Sequence, residues 1–199
     1  MAAFYTPLAD GQPRRAETYN APLQEMEEAI LARQGAFSAR IAQTTLSSDT
    51  ATITMDLATQ NYPTLLLVAT LRSKSASVDN LRIRFNGDAF GTYTANLVAI
   101  DSSATYSGTS NAGSFDLTSI VQSDSVGAGQ YTFVTVTIAQ AHLPTPKMIE
   151  FQAGRDATPK LWWGAGYWPG STVISQISLF LSSGSSFATG STYALYGMS

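Results

Sequence analysis

The chain has 199 residues, of which 44% are apolar and 13% charged, with a formal net charge of −3 and no cysteine. The charged share is about half of ordinary usage, yet aromatic residues at 11% leave ample material for a core, which excludes a disordered chain. The missing cysteines remove disulfides, thiol catalysis and thiolate metal sites, and an acidic balance without a basic stripe argues against a nucleic-acid partner.

Residues 1–19 read as an extended docking arm. The stretch FYTPLADGQPRRAETY has prolines, a turn-like Asp10-Gly11 pair and a basic pair, with no periodicity. Phe4, Tyr5, Arg14 and Arg15 are its candidate contact residues. The start lacks the apolar stretch of a signal peptide, and nowhere is there an apolar run of about eighteen residues. Neither export by its own signal nor membrane insertion is expected.

A short helix follows over 20–36. Asn20 is a plausible N-cap, Pro22 is tolerated in the first turn, Glu25, Glu27 and Glu28 sit near the positive end of the dipole, and Gly35 supplies the stop. Leu23, Met26 and Ile30, with Phe37 just beyond, follow heptad spacing interrupted by Arg33. Such a helix is not stable alone in water. It lies on its own domain or joins copies as a short parallel coiled coil, and the arm before it favours the second.

From 37 to 199 the pattern is period two, one β-domain. Ile53, Met55 and Leu57 alternate with Thr52, Thr54 and Asp56; Leu81, Ile83 and Phe85 alternate with Arg82 and Arg84. Val134, Val136 and Ile138 share a face, as do Val173, Ile177, Leu179 and Leu181. TLLLVAT is apolar throughout, which predicts a central strand covered on both faces. About ten short strands separated by turn clusters suggest an antiparallel sandwich or barrel. Asn86-Gly87 predicts a type I′ hairpin between LRIRF and DAFGTYTANLV. SSATYSGTSNAGS and QSDSVGAGQ read as loops, and Pro169-Gly170 as a turn into STVISQISLFL.

Chemistry is sparse. The single histidine, His142, lies in a proline-bounded loop, and one imidazole without cysteine makes a poor metal site. No G-x-S-x-G elbow, P-loop or EF-hand spacing occurs. Asp56, Asp79, Asp88, Asp101, Asp116, Asp124, Glu150 and Asp156 are available carboxylates, but most fall beside turns, where aspartate caps backbone amides. No catalytic residue, metal or cofactor is assigned. LWWGAGYWPGS holds all three tryptophans. Trp162, Trp163, Tyr167 and Trp168 are either packing, between sheets or against a neighbouring subunit, which tryptophan favours, or a platform for a sugar ring, with Tyr167 the best placed to be outside.

Two segments together carry a resemblance. LRIRFNGDAFGTYTANLV is similar to the RFNGD hairpin of many bacteriophage virion proteins. YWPGSTVISQISLFLSSGSSFATGSTYALYGM resembles their C-terminal signature through Trp168, Ile174, Ile177, Phe187, Gly190, Ser191, Leu195, Tyr196 and Gly197. The resemblance covers about the last two-thirds of the chain, most loosely over 100–165. It implies a jelly-roll-like β-sandwich of tail-fibre, collar or head-fibre type, usually trimeric, in a virion assembled in the host cytoplasm. Its partners would then be its own copies, through Leu23, Met26, Ile30 and Phe37, and another virion protein, through the arm. A host surface glycan is the further partner that the aromatic run allows. The short helix, in place of a long shaft, favours a short fibre, spike or decoration.

Overall fold

In the computed structural model the described residues are 38–57, 61–100, 104–126, 130–155 and 160–198. The arm residues Phe4, Tyr5, Arg14 and Arg15, the helix 20–36 with Leu23, Met26 and Ile30, and Phe37 lie outside them.

The described chain is mainly β, with twelve strands. In order they are β1 Ser38–Thr45, β2 Thr52–Asp56, β3 Thr64–Ser73, β4 Asp79–Phe85, β5 Thr92–Ile100 and β6 Ala104–Ala112. Then come β7 Phe115–Ser123, β8 Thr132–Ala139, β9 Lys147–Arg155, β10 Lys160–Trp168, β11 Gln176–Leu181 and β12 Thr192–Met198. A 3-10 turn, Asp124–Val126, is the one helical element among the described residues.

Two antiparallel runs make up the sheet. The longer is β1-β12-β3-β8-β9-β10-β5-β6 and the shorter is β2-β11-β4-β7. A brief parallel pairing of β3 with β7, at Arg72↔Gln122 and Ser73↔Ser123, joins them into one mixed sheet. The alternation read from the sequence decides which face is buried. Ile53 and Met55 of β2, Leu81, Ile83 and Phe85 of β4, Val134, Val136 and Ile138 of β8, and Ile177, Leu179 and Leu181 of β11 all enter one core. Ring contacts join the runs across that core. Phe85 of β4 meets Trp168 of β10 at 5.3 Å between centroids, edge to face, and Phe115 of β7 meets Tyr93 of β5 at 4.9 Å.

Several expectations need correction. Asn86 and Gly87 do take positive φ, 51° and 67°, yet β4 and β5 do not pair with each other. The turn ends β4 in the shorter run and sends the chain into β5 of the longer one. Asn86 spends its side chain on another segment: Nδ2 donates to Thr172 Oγ1 and the Val173 carbonyl, and Oδ1 accepts from the Ser175 and Gln176 amides. SSATYSGTSNAGS is not a loop, because Ala104–Ala112 pairs with β5 along its whole length. Val173 is exposed and Ile174 buried in its place, since the period-two register begins only at Gln176. Pro169-Gly170 belongs to an irregular connector between β10 and β11, with Gly170 against the Trp168 ring.

β3 departs in an informative way. It is central, paired with β12 and β8, and Leu65, Leu67, Ala69 and Leu71 are buried. Leu66 and Val68, on its other face, are only half-buried. One face of this all-apolar strand is covered and the other is left partly open.

Candidate functional site

The aromatic run forms strand β10 itself, held between β9 and β5. Strand geometry sends alternate side chains to opposite faces. Trp162 and Trp168 point inward and are 3% and 2% exposed, whereas Trp163 and Tyr167 point outward at 61% and 40%. Trp162 and Trp168 therefore cannot serve as a sugar platform, and the platform reading narrows to Trp163 and Tyr167.

On the inner side the glycines make room for rings. A Cβ at Gly164 would lie 2.5 Å from the Phe151 ring and 2.3 Å from the Asn96 carbonyl oxygen. One at Gly166 would lie 2.6 Å from the Phe115 ring and 2.8 Å from the Thr94 carbonyl oxygen. Trp168 donates Nε1–H to Asp88 Oδ2 at 3.0 Å, while Asp88 Oδ1 accepts the Phe90 and Gly91 amides. The indole bond is the largest effect on the Asp88 carboxyl; burial, next in size, opposes it, and the Gly91 and Phe90 amide bonds help to hold the group below its ordinary range. Tyr93 Oη accepts the Phe85 amide at 3.2 Å, and burial pushes the phenol up to about 12. Lys147 is wholly buried, and its ammonium donates to the carbonyls of Leu143, Thr145 and Thr172. Burial lowers its pKa.

The outer side of the longer run is different. Register places Ile100, Leu161, Gly154 and Phe133 in one row across β5, β10, β9 and β8. The next row is Val98, Trp163, Gln152, Thr135 and Val68, reaching β3. Asn96, Ala165, Glu150, Thr137 and Leu66 follow, then Thr94, Tyr167, Met148, Ala139 and Thr64. Glu150 is the single charged residue in these four rows. Ile100, Phe133, Met148, Leu161 and Trp163 are each about half exposed or more. Leu161 leans over Gly154, whose missing side chain leaves it that space.

Among the described candidates, the aspartates are employed structurally. Asp79 accepts the hydroxyls of Ser182 and Ser183 and the Asn80 amide; Asp116 pairs with Arg82 at 3.3 Å; Asp56 accepts from Gln176. Asp124 pairs with Arg72 and Lys74. Asp101 and Asp156 lie outside the described residues. His142 is half-buried in the loop before β9. Among the described residues no group of three or more metal-ligating side chains forms, and no helix is long and apolar enough to cross a membrane.

The site is thus an exposed, almost uncharged sheet face. Sequence reasoning found Trp163 and Tyr167 but missed Leu161, Phe133, Ile100 and Met148, which lie on four different strands. The available signal was the two-sided apolarity of TLLLVAT and the scarcity of charge. No protein-family model matches the chain, and no curated protein matches it.

Proposed function

We propose that this chain is a bacteriophage virion structural protein, a short homotrimeric fibre, spike or decoration that catalyses no reaction. In this reading the arm 1–19, with Phe4, Tyr5, Arg14 and Arg15, docks into a capsid or tail partner by filling a groove with extended backbone. The helix 20–36 joins three chains through Leu23, Met26, Ile30 and Phe37. The domain 37–199 projects outward as a jelly-roll-like sandwich, a reading that its two antiparallel strand runs around one core support. The observation that carries the reading is the broad outer face of β3, β8, β9, β10 and β5, in whose four rows Glu150 is the only charge and large apolar side chains stand exposed. The two quoted virion-protein segments and the low overall charge support it.

The test is the absolute mass of the full chain by light scattering on a sizing column. The expected result is three times the 21.2 kDa chain mass, falling for Met26→Asp. A monomer at all concentrations would reject the homotrimer.

The exposure of Trp163 and Tyr167, two outward aromatics on one strand, favours a second reading. In it the domain is a receptor-binding module whose rings stack on a host surface polysaccharide. That predicts a saturable change in tryptophan emission on titration with the polysaccharide, abolished by Trp163→Ala.

A further inference from the structure

We infer that the outward face of β3, β8, β9, β10 and β5 is where copies of this chain meet, the faces of the three copies turned toward one another around the axis of the trimer. The inference rests on the homo-oligomeric reading above and names the side of the domain that the assembly uses.

Three observations lead there. The first is β3, a central strand apolar on both sides: Leu65, Leu67 and Leu71 are buried, but Leu66 and Val68 remain partly open in a single chain. Strands with a continuous apolar run belong between two covering layers, and the described residues supply one of them. The second is contiguity. Ile100, Leu161 and Phe133 fall in one cross-strand row with Val98 and Trp163 directly beside it. Single exposed apolar residues are ordinary on a protein surface, but a connected row over four strands marks a contact.

The third is charge and extent. With Glu150 as the only ion in its four rows, and Arg72 beyond them on β3 already paired with Asp124, the face offers a charged partner almost nothing to pair with, and any charge set against it would be desolvated. A matching surface must be equally uncharged over the same extent, and this face on another copy meets that condition. Five strands about 4.8 Å apart, each with four outward residues about 6.8 Å apart, span roughly 20 by 20 Å. Side-chain relief raises the accessible area toward the roughly 800 Å² per partner of a standard stable interface.

The natural absence of cysteine provides a clean test in the full chain. Ala165→Cys puts a thiol on this face beside Trp163, at an exposed position. Its maleimide labelling rate and the mass by light scattering are read together across protein concentration. The expected result is an oligomer in which the thiol reacts at least about tenfold more slowly than in the diluted monomer. Leu161→Glu, added to the A165C chain, should restore the fast rate, with the helix 20–36 still joining the copies. Trp163→Ser is the milder second variant, read in the same way, and circular dichroism confirms that each variant is folded.

An oligomer whose A165C thiol reacts at the free rate would overturn the inference while leaving the homo-oligomeric reading intact. A protected thiol in a monomer would also overturn it, because the chain's own residues would then cover the face. A monomer with a fast-reacting thiol would remove both. An oligomer whose thiol protection is unchanged by both Leu161→Glu and Trp163→Ser would overturn the inference alone.

Discussion

The Trp168 indole donates to the Asp88 carboxylate across 3.0 Å, tying the end of β10 to the loop that carries the chain from β4 to β5. The same indole sits 5.3 Å from the Phe85 ring and 6.0 Å from that of Tyr93. One residue thus holds together the inner faces of both strand runs.

Asp88→Asn should expose the value of that bond. The carboxylate receives backbone amides on Oδ1 and the indole on Oδ2, so an amide nitrogen in place of Oδ2 sets donor against donor. Loss of a hydrogen bond to a charged group costs about 1.5–3 kcal/mol, readable in urea unfolding near neutral pH. Because the folded pKa is lowered from 3.8, the wild-type contribution is present above that value and lost as pH falls below it. The variant should lose less stability in that acid window.

Tyr93 governs the alkaline side. Its folded pKa is raised from 10.0 to about 12, so the unfolded chain ionises first and stability falls as pH rises through that window. Tyr93→Phe should flatten this limb. Near neutral pH it should cost about 1–2 kcal/mol, because the buried Phe85 amide loses the phenol oxygen. Urea melts at a series of alkaline pH values for both proteins separate the two effects.

Gly166→Ala should destabilise by about 1–3 kcal/mol or more. The new Cβ meets the Phe115 ring at 2.6 Å and the Thr94 carbonyl oxygen at 2.8 Å, and the backbone atom cannot move aside without disturbing the β5–β10 ladder. Ala165→Ser, next to it on the open face, should shift thermal unfolding little.

Lys147→Met keeps the aliphatic stem but leaves the Leu143, Thr145 and Thr172 carbonyls without their shared donor. The expected loss is about 1–3 kcal/mol. Hydrogen exchange should rise first in the 143–145 and 169–175 segments that the ammonium joins.

The two neighbouring tryptophans should behave oppositely. Trp162→Ala removes a ring buried at 3% exposure, flanked by Arg155 and Lys160, and should cost about 3–5 kcal/mol. Trp163→Ala should leave the stability of an isolated copy nearly unchanged, and its effect should appear in the assembled mass or in glycan binding. Thermal unfolding and neutral-quencher fluorescence together check both.

The strands that the sequence made legible are those with one apolar and one polar side. Ile53 and Met55, or Leu81, Ile83 and Phe85, declare their face because burial and strand period coincide. β6 was missed because ATYSGTSNA has no apolar side to declare and sits at the sheet's edge. Asn86-Gly87 announced its dihedral angles correctly, but a turn fixes local geometry and says nothing of which sheet receives the next strand. The glycines of LWWGAGYWPGS suit a close approach of backbone and rings, and Gly164 and Gly166 are the floor on which Phe151 and Phe115 rest. For the site, parity along β10 alone sorts Trp162 from Trp163, but assembling Ile100, Leu161 and Phe133 requires the register between strands.

The pairing of β1 with β12 governs how the domain is made. Ser38 finds its partner in Met198, and the β2 edge likewise waits for β11. On a ribosome these early strands emerge long before their partners, so the domain cannot close progressively from its leading end. Both early strands must remain unpaired through most of synthesis, with β3 bare along the edge that β12 later covers. Such a chain folds late and slowly, and its nascent form calls for a holding chaperone or fast completion of the last strands.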